Sequence, residues 1–497
     1  MQNITEVDKS SMKRYDFYTL SSVSSIMKQE ENRGRLNNRS YSELVQGIYA
    51  ELKKKRRELK DLELNPKIDS DSNVDDLNSE IKELERRCSQ LKEHDLQNLV
   101  NEISTGKFKI ELERIATNDK DVFITKNNES MVISRIISRE LAFFYRVKPA
   151  ERNIIIEQLI AILDNTMPKI VIRADVQNFY ESIPQNQLIE KLKNDGFTSK
   201  RTLKYLKSFF YQYNCNKISE KDSIGLPRGL SFSAYLSEIF MMAIDKRISQ
   251  ISGVFFYKRY VDDIIIVANP QIKSIKDYWA ELNDCFTNHS LELHVSPYDS
   301  KQYMSLLDEE SEQEHFEYLG YKFCYDKGHL SVLLSEKRYK KYITTIDALF
   351  DIYSRCASSR KYKKTKNDKD KRPDALRQLM DRLRVLTGNG LLSGRKSFIA
   401  TGVYFTNKYL TDLSQLRQLD DYLHKNIKNK EVFSPPKTLF NYGPGNRYDD
   451  NLIKIKEKLL EFSFVEGFTG RKLNKNPKFA QILHSLQSIY HKYSANE

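Results

Sequence analysis

The sequence predicts an α+β fold on three observations. Residues 40–103 and the text after about 335 carry apolar residues at helical spacing. Between them, short β-prone runs such as "KIVIRAD" and "RYVDDIIIVA" alternate with helical segments. Two of these runs place carboxylates beside a buried strand: Asp175 ends the first, and Asp262 and Asp263 sit within the second.

The chain has 497 residues, enough for a substantial core and two to four domains. With 39% hydrophobic and 30% charged residues it reads as a soluble, helix-rich protein, and a net charge of +13 favours polyanionic partners. Twenty-nine Tyr and 25 Phe beside one Trp offer rings on which bases stack, although most such rings serve a core. Five scattered Cys without a CxxC pair argue against a disulfide framework or a Cys-rich zinc site and suit a reducing cytosol. The opening "MQNITEVDKSSMKRYDFY" lacks an apolar leader core and no run reaches membrane-spanning length, so a cytoplasmic protein without membrane attachment is expected.

Element by element, Ser40 and Glu43 have capping-box spacing ahead of "ELVQGIYAELKKKRRELKDLEL". After the loop "NPKIDSDSNVDD", Leu77, Ile81, Leu84, Cys88 and Leu91 form an a/d seam, which predicts an antiparallel helical hairpin. "GKFKIELERI", "DVFIT" and "MVISRII" read as strands, with "KNNES" as a turn before the last. "AERNIIIEQLIAIL" is helical, with Pro149 at its entry. "PKIVIRADVQNFYESI" is a buried strand running into a turn, and "LIEKLKNDG" and "SKRTLKYLKSFFYQYN" are helices. "GLPRGLSFSAYLSEIFMMAIDKRI" is a Gly-broken loop opening into a long helix, followed by a hairpin centred on the Asp pair. The helix "IKDYWAELNDCFTNHS" precedes short strands near "LELHVS" and "FEYLGYKF". Everything after about 335 is expected to be helical and basic, and "SSRKYKKTKNDKDKR" reads as an exposed linker or a phosphate-contacting arm.

An Asp at a strand tip is ordinarily a turn residue or a helix cap. Here 87 residues containing helices and a Gly-rich loop separate Asp175 from Asp262, an order that can bring both strands into one sheet with the carboxylates at one edge. Clustered carboxylates repel unless a cation sits among them. Paired Mg²⁺ ions in phosphoryl transfer need such shared oxygen ligands. In "GLPRGLSFS", Gly225 and Gly229 free the backbone for close approach, and Arg228 adds a cation that could face a triphosphate or a template phosphate.

Over roughly residues 120–325 these motifs together resemble the bacterial reverse transcriptases of the retron and group II intron type. The resemblance lies in Asp175 with Phe179 and Tyr180 (motif A), "GLPRGLSFS" (B), "YVDD" at 260–263 (C), "HVSPYDSK" ending at Lys301 (D) and "FEYLGYKF" (E). It implies a right-hand polymerase: an N-terminal helical region over 1–105, fingers over 106–160, an RRM-like palm with an antiparallel sheet over 161–330, and a basic helical thumb and C-terminal region over 331–497. It further implies Asp175, Asp262 and Asp263 as catalytic, and these with the Val176 carbonyl as ligands of two Mg²⁺ ions, with Mn²⁺ as a substitute. Phe179, Tyr180, Arg228, Gly229, Lys126, Arg135 and Lys301 are the implied dNTP contacts. Tyr180 stands where the family crowds a ribose 2′-hydroxyl. Arg146, Arg152, Tyr260, Leu319 and Gly320 are the implied nucleic-acid contacts.

Arg228 departs from the family, which often has Gln at that position. The extra helical regions, and the lack of an HNH-like or RNase H pattern, resemble the defence-associated and abortive-infection reverse transcriptases most. That kinship implies antiphage activity, an RNA template (a dedicated noncoding RNA among the possibilities), a DNA product, and a homo-oligomer or a partner reverse transcriptase. Two alternatives share the chemistry. One is a template-independent, protein-primed polymerase, for which Tyr15, Tyr18 and Tyr41 look exposed; the other is an intron maturase. A non-catalytic RNA-binding scaffold is the third, and three retained carboxylates speak against it.

Overall fold

The computed structural model describes residues 16–32, 41–64, 70–106, 108–116, 121–148, 150–216, 225–294, 302–358, 372–393, 398–429, 433, 448–474 and 478–494. One four-stranded sheet runs in the order β4-β5-β3-β6, from Val254–Tyr260 (β4), Asp263–Ala268 (β5), Lys169–Asp175 (β3) and Tyr303–Leu307 (β6). β3 and β6 are antiparallel, with Lys169 opposite Leu307 and Arg173 opposite Tyr303. The apolar run Ile170–Ile172 and the run Ile264–Ala268 are buried, as interior strands require.

The chain divides into two units by contact density, one of residues 1–150, 174–264 and 276–294, the other of 151–173, 265–275 and 295–497. In the first, α1 (Leu20–Asn32), α2 (Glu43–Leu64) and α3 (Ser70–Thr105) precede the antiparallel pair β1 (Leu112–Ile115) and β2 (Val122–Thr125). Val45, Ile48 and Leu52 of α2 pack with Ile81 and Cys88 of α3, and Leu84 and Leu91 flank that cluster. The loop segment 65–69 lies outside the described residues.

Residues 131–137, expected as a strand, belong instead to α4 (Asn128–Tyr145). Val132, Ile133, Ile136, Ile137 and Leu141 are buried at steps of three and four, so period wins over β-branched content. The helix starts where the Asn127 side chain accepts a bond from the Ser130 N–H. α6 (Phe179–Ser182), α7 (Gln185–Asp195), α8 (Lys200–Cys215), α9 (Ser233–Ile248) and α10 (Ile275–Thr287) complete the helices of this region. Ser199 caps α8, whose Thr202, Tyr205, Leu206, Phe209 and Tyr213 form a buried stripe.

The second unit contains α5 (Arg152–Leu163) and the antiparallel sheet of β7 (Glu314–Tyr318), β8 (Tyr321–Asp326) and β9 (His329–Leu334). "LGY" is the tight turn of its first hairpin, and the opposed Phe316 and Phe323 rings stack at 5.1 Å. The uniformly helical character expected beyond residue 335 is corrected by the structure. α11 (Glu336–Ser358) and α12 (Arg372–Thr387) lead into the hairpin of β10 (Asn389–Ser393) and β11 (Phe398–Gly402). α13 (Val403–Asn407), α14 (Ser414–Lys428), α15 (Tyr448–Leu460) and α16 (Phe464–Gly470) come next, then β12 (Leu473–Asn474), which pairs parallel to β10, and α17 (Phe479–Ser494). Most of the basic run 358–372 lies outside the described residues.

Candidate active site

β3 carries its apolar residues into the core and ends on Asp175, which is 7% exposed. Three backbone bonds hold this strand tip and the two residues after it. The Asp175 carbonyl accepts from the His294 N–H at 2.9 Å, the Val176 N–H donates to the Asp262 carbonyl at 3.2 Å, and the Gln177 N–H donates to the Glu292 carbonyl at 2.8 Å. Acidic strand tips far apart in the chain thus meet through one backbone hydrogen bond. Burial raises the Asp262 pKa first, and the charges of Asp175 and Asp263 raise it further.

Asp262 lies in a turn that opens at Val261 with φ +60°, a region that β-branched residues avoid. Arg259 holds that turn. Its guanidinium donates to the Val261 carbonyl at 2.9 Å and pairs at 2.8 Å with both Glu238 and Asp245 of α9. Tyr257 donates its hydroxyl to Asp245. His294 brings Nε2 to 3.5 Å from Asp175 Oδ2.

The 225–229 loop is tied on both sides. The Leu226 N–H donates to the Tyr180 carbonyl at 2.6 Å, the Gly225 N–H to the Ile183 carbonyl at 2.9 Å, and the Arg228 carbonyl accepts from the Phe123 N–H of β2 at 2.7 Å. Both glycines are required. With φ of +96° and +95°, a Cβ at Gly225 would lie 2.9 Å from the Glu181 carbonyl, and one at Gly229 2.5 Å from that of Phe123.

Several of the residues expected as contacts have partners within the protein. Arg228 forms a two-pronged ion pair with Glu181, at 2.6 and 3.1 Å, and lies 4.9 Å above the Tyr180 ring. Its charge is matched within the protein by that carboxylate. Phe179 is 1% exposed and meets Tyr180 edge-on at 5.5 Å, so it backs that ring and does not face a substrate. Arg135 pairs with the buried Glu30 of α1 at 3.1 Å. Lys126 and Arg146 are exposed, at the end of β2 and the left-handed end of α4. Tyr260 is half-buried at the end of β4, and Lys301, with most of "HVSPYDSK", lies outside the described residues.

In the second unit, Arg152 donates from Nε to the Leu319 carbonyl at 2.9 Å, and again from Nη2. It also lies over the Tyr321 ring. Arg152 thus braces the Leu319–Gly320 turn. Arg338 covers the same ring at 4.8 Å.

Glu181, Arg259 and His294 were missed in the sequence. Only an Arg set inward on the strand before "YVDD" hinted at one of them.

Asp175, Asp262 and the Val176 carbonyl offer hard oxygen donors, the chemistry Mg²⁺ prefers. Among the described residues no three His, Cys, Asp or Glu side chains gather closely enough to hold a metal ion unaided. A Mg²⁺ site built on one or two carboxylates takes its other ligands from water and substrate phosphates, so the donor set fits.

The family described as "Reverse transcriptase (RNA-dependent DNA polymerase)" matches residues 78–323, just under half of the chain. That stretch is a reverse transcriptase domain. It is an enzyme domain of mixed helix and sheet, and it contains Asp175, Asp262, Asp263 and the 225–229 loop. No curated protein matches the chain. Among solved structures, Candida albicans telomerase with a TWJ fragment of telomeric RNA is 12% identical, with 76% of this chain and 64% of that one covered at a TM-score of 0.33. The corresponding Candida tropicalis structure is 12% identical over 81% and 66% at 0.32, and a truncated apo telomerase of that species 13% identical over 46% and 55% at 0.30. The chain spans 55–66% of the length of these telomerase chains. Likeness at such scores carries no weight for the reverse transcriptase domain.

Proposed function

We propose that the protein is an RNA-directed DNA polymerase that extends a 3′-hydroxyl with deoxynucleotides. The observation that carries this reading is the Val176–Asp262 backbone bond, which joins two acidic strand tips inside the matched domain. Residues 106–160 serve as fingers, 161–330 as palm and 331–497 as thumb and C-terminal region, with 1–105 as an added helical region. Asp175, Asp262 and the Val176 carbonyl would hold two Mg²⁺ ions, or Mn²⁺, with Asp263 as a further ligand or orienting group. When bound, such ions lower the pKa of the attacking hydroxyl and offset the charge that builds on the α-phosphate. Tyr180, fixed from behind by Phe179 and from above by Arg228, crowds a ribose 2′-hydroxyl and so favours deoxynucleotides. Lys126, Lys301 and the Gly229 backbone are left for the triphosphate, and Arg146, Tyr260 and the Leu319–Gly320 turn for the nucleic-acid strands.

Primer extension with labelled dNTPs and Mg²⁺, with and without an RNA template, tests this. Template-dependent product that disappears in Asp262→Asn is the expected result. Product without any template moves the reading to the protein-primed kind. Undiminished product from Asp262→Asn, or none from the wild type, overturns it. Tyr18 is a poor primer in any case. Its hydroxyl is buried and bonded to Thr202 at 2.7 Å, and burial pushes its pKa far up. Tyr41 is half-buried beneath the Lys92 ammonium, and Tyr15 lies outside the described residues.

The setting proposed is bacterial antiphage defence in the cytoplasm, with a dedicated noncoding RNA as template and a homo-oligomer or a partner reverse transcriptase. Its support is the added helical regions around a compact "YVDD" polymerase. No helix among the described residues is long and apolar enough to cross a membrane. A plaque assay in which Asp262→Asn loses the protection given by wild type checks it.

A further inference from the structure

Helix α8 has two faces. Phe209, Phe210 and Tyr213 are buried, with Tyr213 edge-on to Phe123 of β2 at 4.8 Å. The other face turns Lys204, Lys207 and Tyr211 toward a cavity of about 450 Å³, whose remaining wall includes Phe108 and Lys109. The described residues lining it comprise three lysines and no carboxylate. Among the described residues no ion pair involves Lys109, Lys204 or Lys207. Tyr211 is 67% exposed, an unusual position for so large a ring, and Phe108 lies 5.7 Å from the buried Tyr205 ring beneath it.

Lysines that need only solvent spread apart, whereas three around one concavity reinforce each other's potential. Cations beside an accessible ring are the two halves of single-strand recognition: the cations take phosphates and the ring stacks a base. The volume falls within the range of about 300–1,000 Å³ typical of small-ligand sites, which suits a nucleotide or two and not a duplex.

We infer that this cavity binds single-stranded nucleic acid, with Lys109, Lys204 and Lys207 on the phosphates and Tyr211 stacked on a base. It shares no lining residue with the carboxylate site, so its test stands apart from the polymerase reading. The strand is either the unpaired end of a copied template or a separate RNA, and both present the same chemistry.

The test uses the full chain and a labelled 12-nucleotide oligouridylate, with affinity measured by fluorescence anisotropy across a salt series. Each phosphate contact on a single strand contributes about −0.7 to the slope of log affinity against log salt, so the triple Lys→Ala variant should lose about 2 of that slope. The triple Lys→Arg variant should keep it. Tyr211→Ala should bind roughly tenfold more weakly with the slope unchanged. Photocrosslinking with 4-thiouridine should label 106–110 or 204–212. A label from the single-stranded overhang of a primer–template assigns the cavity to the template, and a label only from free oligonucleotide assigns it to a separate RNA. Asp262→Asn should crosslink as wild type does, which separates loss of catalysis from loss of this site. Unchanged affinity and slope in the triple Lys→Ala variant, or crosslinks confined to other segments, overturns the assignment.

Discussion

Asp262 and Arg259 illustrate how the site is built from single side chains. Asp262 is held where burial and two neighbouring carboxylates penalise its charge, so the neutral Asp262→Asn should melt no lower than wild type without metal. Mg²⁺ should raise the melting temperature of wild type and leave the variant unmoved, a difference that scanning fluorimetry reads. Nucleotide incorporation by the variant should fall roughly a thousandfold or more. Arg259→Ala should lose about 3–5 kcal/mol in chemical denaturation, because Glu238 and Asp245 would lose their shared cation. The carboxylates were legible because each stands out against an apolar run. Arg259, Glu181 and His294 were not, because their partners lie 14, 47 and 119 residues away. The same reason hid the partners of Arg228, Arg135 and Arg152: a basic side chain in a loop or on a helix announces a charge but not what neutralises it.

At the scale of elements, period was the reliable guide and composition the unreliable one. The strand ending at Asp175 and the one after Asp262 are continuous apolar runs buried on both faces, and the helices between 179 and 287 follow their apolar spacing. "MVISRII" misled because its β-branched content suggested a strand, while its pairs Val132–Ile133 and Ile136–Ile137 repeat every four residues. β10, β11 and β12 were illegible because the hairpin is short and its third strand comes from more than 70 residues downstream. Asp420 shows how a distant residue starts a helix. From the buried face of α14 it accepts bonds from the Ser463 hydroxyl and the Phe464 and Val465 N–H groups, at 2.6, 2.6 and 3.3 Å. Asp420→Ala should therefore cost about 1–2 kcal/mol in urea denaturation, as the loss of a helix cap does.

For the whole molecule, an excess of 13 positive charges would make the proposed association with nucleic acid long-ranged and sensitive to salt. With about five phosphate contacts, affinity for a single strand should fall roughly a hundredfold between about 50 and 200 mM salt, measured by filter binding. The α+β class and the acidic strand tips were legible because they arise from local text. The division into two units was not, since each gathers segments from three stretches of chain. That interleaving governs how the protein can be made. The first unit lacks its last piece, 276–294, until long after residue 150 has been synthesised. At about 5–20 residues per second a ribosome needs on the order of ten seconds or more to deliver it. A cut anywhere between residues 151 and 293 divides both units, so halves made that way should recover only by reassociating, and an early stop before 294 leaves neither unit whole.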